Sequence, residues 1–96
     1  MNVSFVAEDA TDIRLLEDVH RRLPSNFLVR FDTPASALIC AEEIDLVVAL
    51  GCVVEMKTTP IIFVRHPRHF GMKGGKQAEG FSRYVTSIVS QIRSAG

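Results

Sequence analysis

The residues Ile44 to Leu50, IDLVVAL, decide the fold. Apart from Asp45 the run is apolar throughout, with no alternation of wet and dry positions. A strand buried on one face alternates; a strand buried on both, in a parallel sheet with helices packed on each side, does not. The stretch therefore predicts a central parallel strand. Parallel neighbours are joined by long crossovers, usually helical. The flanking sequence should then alternate strands with helices.

It does so in both directions. Upstream, Val3 to Ala7 (VSFVA) is a short apolar run suited to a buried strand. Asp9 to Leu23 (DATDIRLLEDVHRRL) follows, with Ile13, Leu16, Val19 or His20, and Leu23 at helical spacing and Leu15 beside them. Pro24 stops this helix. Arg14–Asp18, Glu17–Arg21 and Asp18–Arg22 are candidate i,i+4 pairs on its wet side. Phe27 to Phe31 (FLVRF) reads as a second strand. Asp32 to Glu43 (DTPASALICAEE) reads as a short helix, capped by Thr33 with Pro34 in its first turn. Downstream, Pro60 to Val64 (PIIFV) is a fourth strand. After a loop starting at Arg65, a last helix runs from about Ala78 to Ser94, with Phe81, Val85, Ile88 and Ile92 on one face.

The predicted architecture is one small α/β domain over residues 1–96. Its sheet is mostly parallel and four-stranded, in the order 2-1-3-4, and flanked by helices. The segment Gly51 to Thr59 is short for a parallel crossover. It can be met by a single helical turn, by an extended loop, or by a hairpin that uses Cys52 to Met56 (CVVEM) as an extra strand.

Composition narrows the classes. The chain of 96 residues is 47% hydrophobic, which supports a packed core and argues against disorder. No apolar run is long enough for a membrane span, and no signal-peptide pattern opens the chain, so a cytoplasmic location is expected. Cys40 and Cys52 are two isolated cysteines, expected as small buried apolar residues. With His20, His66 and His69 they form no metal-ligand spacing, so no metal or cofactor is expected. Formal net charge is zero, but residues 1–55 hold ten acids and four bases while residues 56–96 hold seven bases and one acid. The halves either neutralise one another or leave the second half attractive to an anion.

Two segments invite a functional reading. In VAEDATD, Val6 to Asp12, an apolar strand ends in Glu8, Asp9 and Asp12. Asp9 and Asp12 are explained as a cap and a first-turn acid of the following helix; Glu8 is not. The C-terminal edge of an open α/β sheet is where such folds build sites. The second segment, RHPRHFGMKGGK, carries Arg65, His66, Arg68, His69, Lys73 and Lys76 among glycines. It is either a solvated surface loop or a candidate anion site for phosphate, nucleotide or nucleic acid. It lacks the P-loop pattern.

At this point the sequence resembles a known family. VSFVAEDATDIRLLEDVHRRL is similar to the opening of the receiver domain of response regulators. TPASALICAEEIDLVVAL resembles that domain's second helix and third strand, and TPIIFV its fourth strand. Together these segments span most of the chain up to Val64. The resemblance implies phosphoryl transfer to an aspartate at the end of strand three, with Mg²⁺ held by that residue and an acidic pair. Glu8 and Asp9 match the pair. Leu50 stands where the phosphoacceptor belongs, and Arg65 where a Thr or Ser would meet the phosphoryl group. The family's lysine has no counterpart, and its fourth helix and fifth strand are missing.

A leucine has no oxygen to phosphorylate or to ligate Mg²⁺, and two carboxylates alone suit that ion poorly. The expectation is therefore a truncated, non-phosphorylatable, receiver-like signalling module that binds a protein partner or forms a homodimer. Arg65 or Arg68 would pair with Glu8 and Asp9 where a metal would sit. The alternatives are a small nucleotide- or phosphate-binding protein or enzyme using Glu8, Asp9, Arg65 and His66, or nucleic-acid binding through residues 65–76. A looser likeness of SFVAEDATD to the start of a Toll/interleukin-receptor-type domain would imply nicotinamide-dinucleotide cleavage, but the segment between strands two and three is short for it.

Overall fold

A computed structural model describes residues 1–8, 13–65 and 75–95, with side chains described at all of these except 13, 14, 75–79 and 81. The strands are β1 (Asn2–Val6), β2 (Leu28–Asp32), β3 (Leu46–Leu50) and β4 (Ile61–Val64). The helices are α1 (Ile13–Arg22), α2 (Pro34–Ile39) and α3 (Gly75–Ala95), with a 3-10 turn at Ala41–Glu43. The strands form one sheet, every pairing parallel, in the order β2-β1-β3-β4. This is the architecture anticipated from Ile44 to Leu50. All five residues of β3 are buried, as continuous apolar character requires.

Register sorts the strand residues onto two faces, because side chains alternate along a strand. Val3 lies beside Val29 and Leu46, and Phe5 beside Phe31 and Val48. These residues, with Leu50, Ile62 and Val64, face α1 and α3 and make the larger core with Leu15, Val19, Val85, Ile88 and Ile92. Val6, Val47 and Ala49 face the other way. The cover there is thin: Ala37 of the six-residue α2, Ile44, and Val54 of the 51–60 segment, with Cys40, Cys52, Met56 and Ile61 half-buried around them.

Several boundaries differ from those read in the sequence. β3 starts at Leu46, not Ile44, because Asp45 is occupied elsewhere. Its carboxylate accepts from the Asn2 N–H at 2.7 Å, while its own N–H donates to the Asn2 carbonyl at 2.8 Å. The second helix stops at Ile39, and Cys40 caps it before the 3-10 turn. Its start is as expected. Thr33 Oγ1 accepts from the Ser36 N–H at 3.2 Å, and Ser36 Oγ accepts from the Thr33 N–H at 2.9 Å. That reciprocal arrangement satisfies two otherwise orphaned donors.

The buried stripe of α1 is centred on Leu15 and Val19 with Leu16 partly buried, and His20 is exposed. The Asp18–Arg22 pair does not form. Asp18 takes Arg21 at 3.2 Å instead, and Arg22 reaches across to Thr86 of α3 at 3.0 Å. The last helix begins at Gly75, about one turn ahead of the expected start. It therefore takes in the end of the glycine-rich segment and the backbone of Lys76.

The 51–60 connection is neither a crossover helix nor an extra strand. It is irregular, bending at 51–52 and again at 57–59, and Val54 and Met56, alternate residues between the bends, pack with Val47, Ala49 and Ile61. Two side chains do the covering that a helix would otherwise do. Gly51 begins the descent with φ of 65°, the left-handed region that glycine enters without a Cβ clash.

Candidate functional site

Three features of the strand ends and of the thinly covered face have chemical content. The first is the C-terminal rim, where Glu8, Leu50, Gly51, Cys52 and Arg65 follow the ends of β1, β3 and β4. Leu50 is not part of an open pocket. It is 1% exposed and belongs to the larger core, on the face covered by α1 and α3. Beyond it, the Gly51 N–H donates to the Val64 carbonyl at 2.7 Å, closing the gap between β3 and β4.

Cys52 is half-buried, and its thiol donates to the Val6 carbonyl at 3.3 Å. Burial pushes this thiol up, and the negative charge of Glu8 adds to the effect. A thiol so placed stays protonated and is a poor nucleophile. Cys52 packs against the cluster of Val6, Val47 and Val54 but is only half-buried, where a buried residue was expected. Cys40 is also half-buried and free.

Arg65 and Glu8 are both exposed and no ion pair joins them, so that part of the expected pairing is not formed; its other members, Asp9 and Arg68, lie outside the described residues. Two strand positions separate β1 from β4, and an exposed pair there would gain little in water. What holds Arg65 is its backbone: the Tyr84 hydroxyl of α3 donates to the Arg65 carbonyl. Tyr84 is 8% exposed, and burial pushes its phenol well up. Asp9, His66, Arg68, His69 and Lys73 lie outside the described residues, as does the side chain of Lys76. The anticipated Asp9–Arg68 contact and the basic segment of residues 66–74 lie there too.

The second feature is a buried polar cluster that the sequence reading missed. Asp32, last residue of β2, is 5% exposed. Its carboxylate accepts from Ser4 Oγ at 2.5 Å, from Arg30 Nε at 2.8 Å and Nη2 at 3.1 Å, and from Ser36 Oγ at 3.0 Å. Arg30 also reaches Glu43 at 3.5 Å. Burial pushes the Asp32 carboxyl up, but the bonds from Ser4, Arg30 and Ser36 outweigh it and hold the group below the usual carboxylate range. The cluster ties β1, β2 and α2 together, and every Asp32 oxygen is engaged. It is a brace. One signal was available: Arg30 and Asp32 stand two apart in a strand, and so share a face.

The third feature is apolar. A groove of about 430 Å³ on the thin face is lined by Leu38, Val54, Glu55, Met56, Lys57 and Ile61. Leu38 and Phe63 are each 62% exposed and Val53 is 78% exposed. Phe63 lies beside Ala49 in register and so on this same face. The thin face thus leaves Leu38 and Phe63 largely in water beside the groove.

The chain matches no family model, no curated protein and no solved structure. No helix among the described residues is long and apolar enough to cross a membrane.

Proposed function

We propose that this chain is a receiver-like α/β module that works by binding protein and does not take up a phosphoryl group. The observation that carries the reading is Leu50. The resemblance assigns that position to a phosphoacceptor, and the side chain there is packed into the core at 1% exposure. β3 runs out through Leu50, Gly51 and Cys52, none of which carries an oxygen nucleophile, and burial pushes the Cys52 thiol up. The apolar groove beside Leu38, Met56 and Ile61 supplies a surface for a partner.

The test uses a small acyl phosphate with Mg²⁺, followed by intact mass. The expected result is an unchanged mass. An acid-labile adduct of one phosphoryl group on a carboxylate of the C-terminal rim overturns the reading.

A further inference from the structure

The apolar surface has a backbone counterpart at the edge of the sheet. In β4, Pro60 and Val64 present their carbonyls to β3, accepting from Val47 at 3.0 Å and Gly51 at 2.7 Å. Parallel pairing alternates, so Ile61 and Phe63 turn both N–H and C=O away from β3. Among the described residues nothing pairs with that edge. The side chains of the same two residues lie on the thin face, where Phe63 is exposed and Ile61 lines the groove. Edge strands are normally guarded by charge. The other edge carries one such charge, the partly exposed Arg30 of β2. From Ile61 to Val64, β4 carries none.

We infer that β4 and the groove beside it form an interface with a second copy of this chain, related by a two-fold axis perpendicular to the sheet. This deepens the proposed binding function by naming the partner. Two antiparallel copies of β4 centred on Ile62 set Ile61 opposite Phe63 of the second copy. Each such pair exchanges two backbone hydrogen bonds, so every outward N–H and C=O of Ile61 and Phe63 is satisfied. The thin faces of the two copies become continuous, and the exposed rings of Phe63 meet the Ile61 ends of both grooves.

Charge argues for a copy over an unrelated partner. Glu55 and Lys57 sit on the groove in that order, and neither has an ion-pair partner among the described residues. A two-fold reverses the direction along the groove, so one acid and one base in this order are self-complementary between copies. Isologous interfaces require such self-complementarity. Formal net charge of zero adds no long-range repulsion between copies.

Sedimentation velocity of the whole chain at about 100 µM tests the assignment. A dimer that dissociates on dilution is expected, and amide exchange at Ile61 and Phe63 should slow as concentration rises. Phe63→Lys, at an exposed position, should be monomeric with an unchanged circular dichroism spectrum. Glu55→Lys should weaken the dimer about three- to tenfold, and the Glu55→Lys/Lys57→Glu exchange should restore it, since the exchanged order is still self-complementary. A strict monomer, a dimer whose Ile61 and Phe63 amides are indifferent to concentration, or open-ended polymers overturn the inference. If Phe63→Lys fails to fold, the charge exchange decides alone. None of these results bears on phosphorylation, so failure here is distinguishable from failure of the proposed function.

Discussion

Replacing Leu50 by aspartate would put back the carboxyl group that the resemblance calls for, and the fold should reject it. The side chain is 1% exposed among the residues of the larger core. Removing a buried leucine side chain costs about 2–5 kcal/mol, which Leu50→Ala should show alone. The aspartate adds the penalty of a carboxylate in apolar surroundings. If burial raises its pKa by about 2–3 units, the further cost at pH 7 is about 3–4 kcal/mol. Together the terms rival the whole stability of a small domain, about 5–15 kcal/mol.

The sign of the pH dependence makes the test specific. A raised folded pKa means the folded state holds the proton longer than the unfolded state. Leu50→Asp should therefore match Leu50→Ala below about pH 4 and fall behind it as pH rises, by about 1.4 kcal/mol per unit until the folded pKa is passed. Other groups titrate alike in both variants and cancel. The assay is urea unfolding of the two proteins between pH 4 and 8. A Leu50→Asp protein as stable as Leu50→Ala throughout that range would refute the placement of Leu50 in the core.

Asp32 should give the opposite slope: its folded pKa is depressed, so its stabilisation is present at neutral pH and is lost as pH falls below about 4. Asp32→Asn should cost about 2–4 kcal/mol at pH 7 and remove that acid sensitivity, both read from urea midpoints at pH 7 and 3. Thr33→Ala should remove about 1 kcal/mol by uncapping α2, lowering Tm by about 4–8 °C in calorimetry. Tyr84 is the single tyrosine, so its phenolate absorbance is unambiguous; no titration step should occur near pH 10 while the protein stays folded.

Much of this fold was legible because its signals are local. An uninterrupted apolar run, a proline after a periodic segment, and Thr33 followed by Pro34 each carry their meaning within a few residues. A central β3 alone allows other orders; the order 2-1-3-4 went with the receiver-like fold, and the sheet has it. What stayed hidden depends on partners far along the chain. Asp45 looked like a strand residue until Asn2 engaged it. Arg22 had an acid four residues behind it and went to Thr86 instead. Asp32 read as the start of a helix, because nothing in DTPAS reveals that Ser4 of another strand will donate to it. At the candidate site the sequence marked Leu50 as anomalous. That its side chain lies in the larger core, and that Glu8 and Arg65 stand apart, came only from packing.

The brevity of the 51–60 connection bears on how the chain finds its structure. Loop-closure entropy grows with length, and parallel pairs ordinarily wait for a long crossover to be ordered. Here β3 and β4 are joined by an unusually short tether, whereas β1 and β3 must meet across two helices and a strand. The pair of least contact order is then the first parallel pair expected to assemble, with the N-terminal strand inserting beside it afterwards. Pulse-labelled hydrogen exchange during refolding should protect the Val47 and Ala49 amides, which point to β4, ahead of the amides of β2.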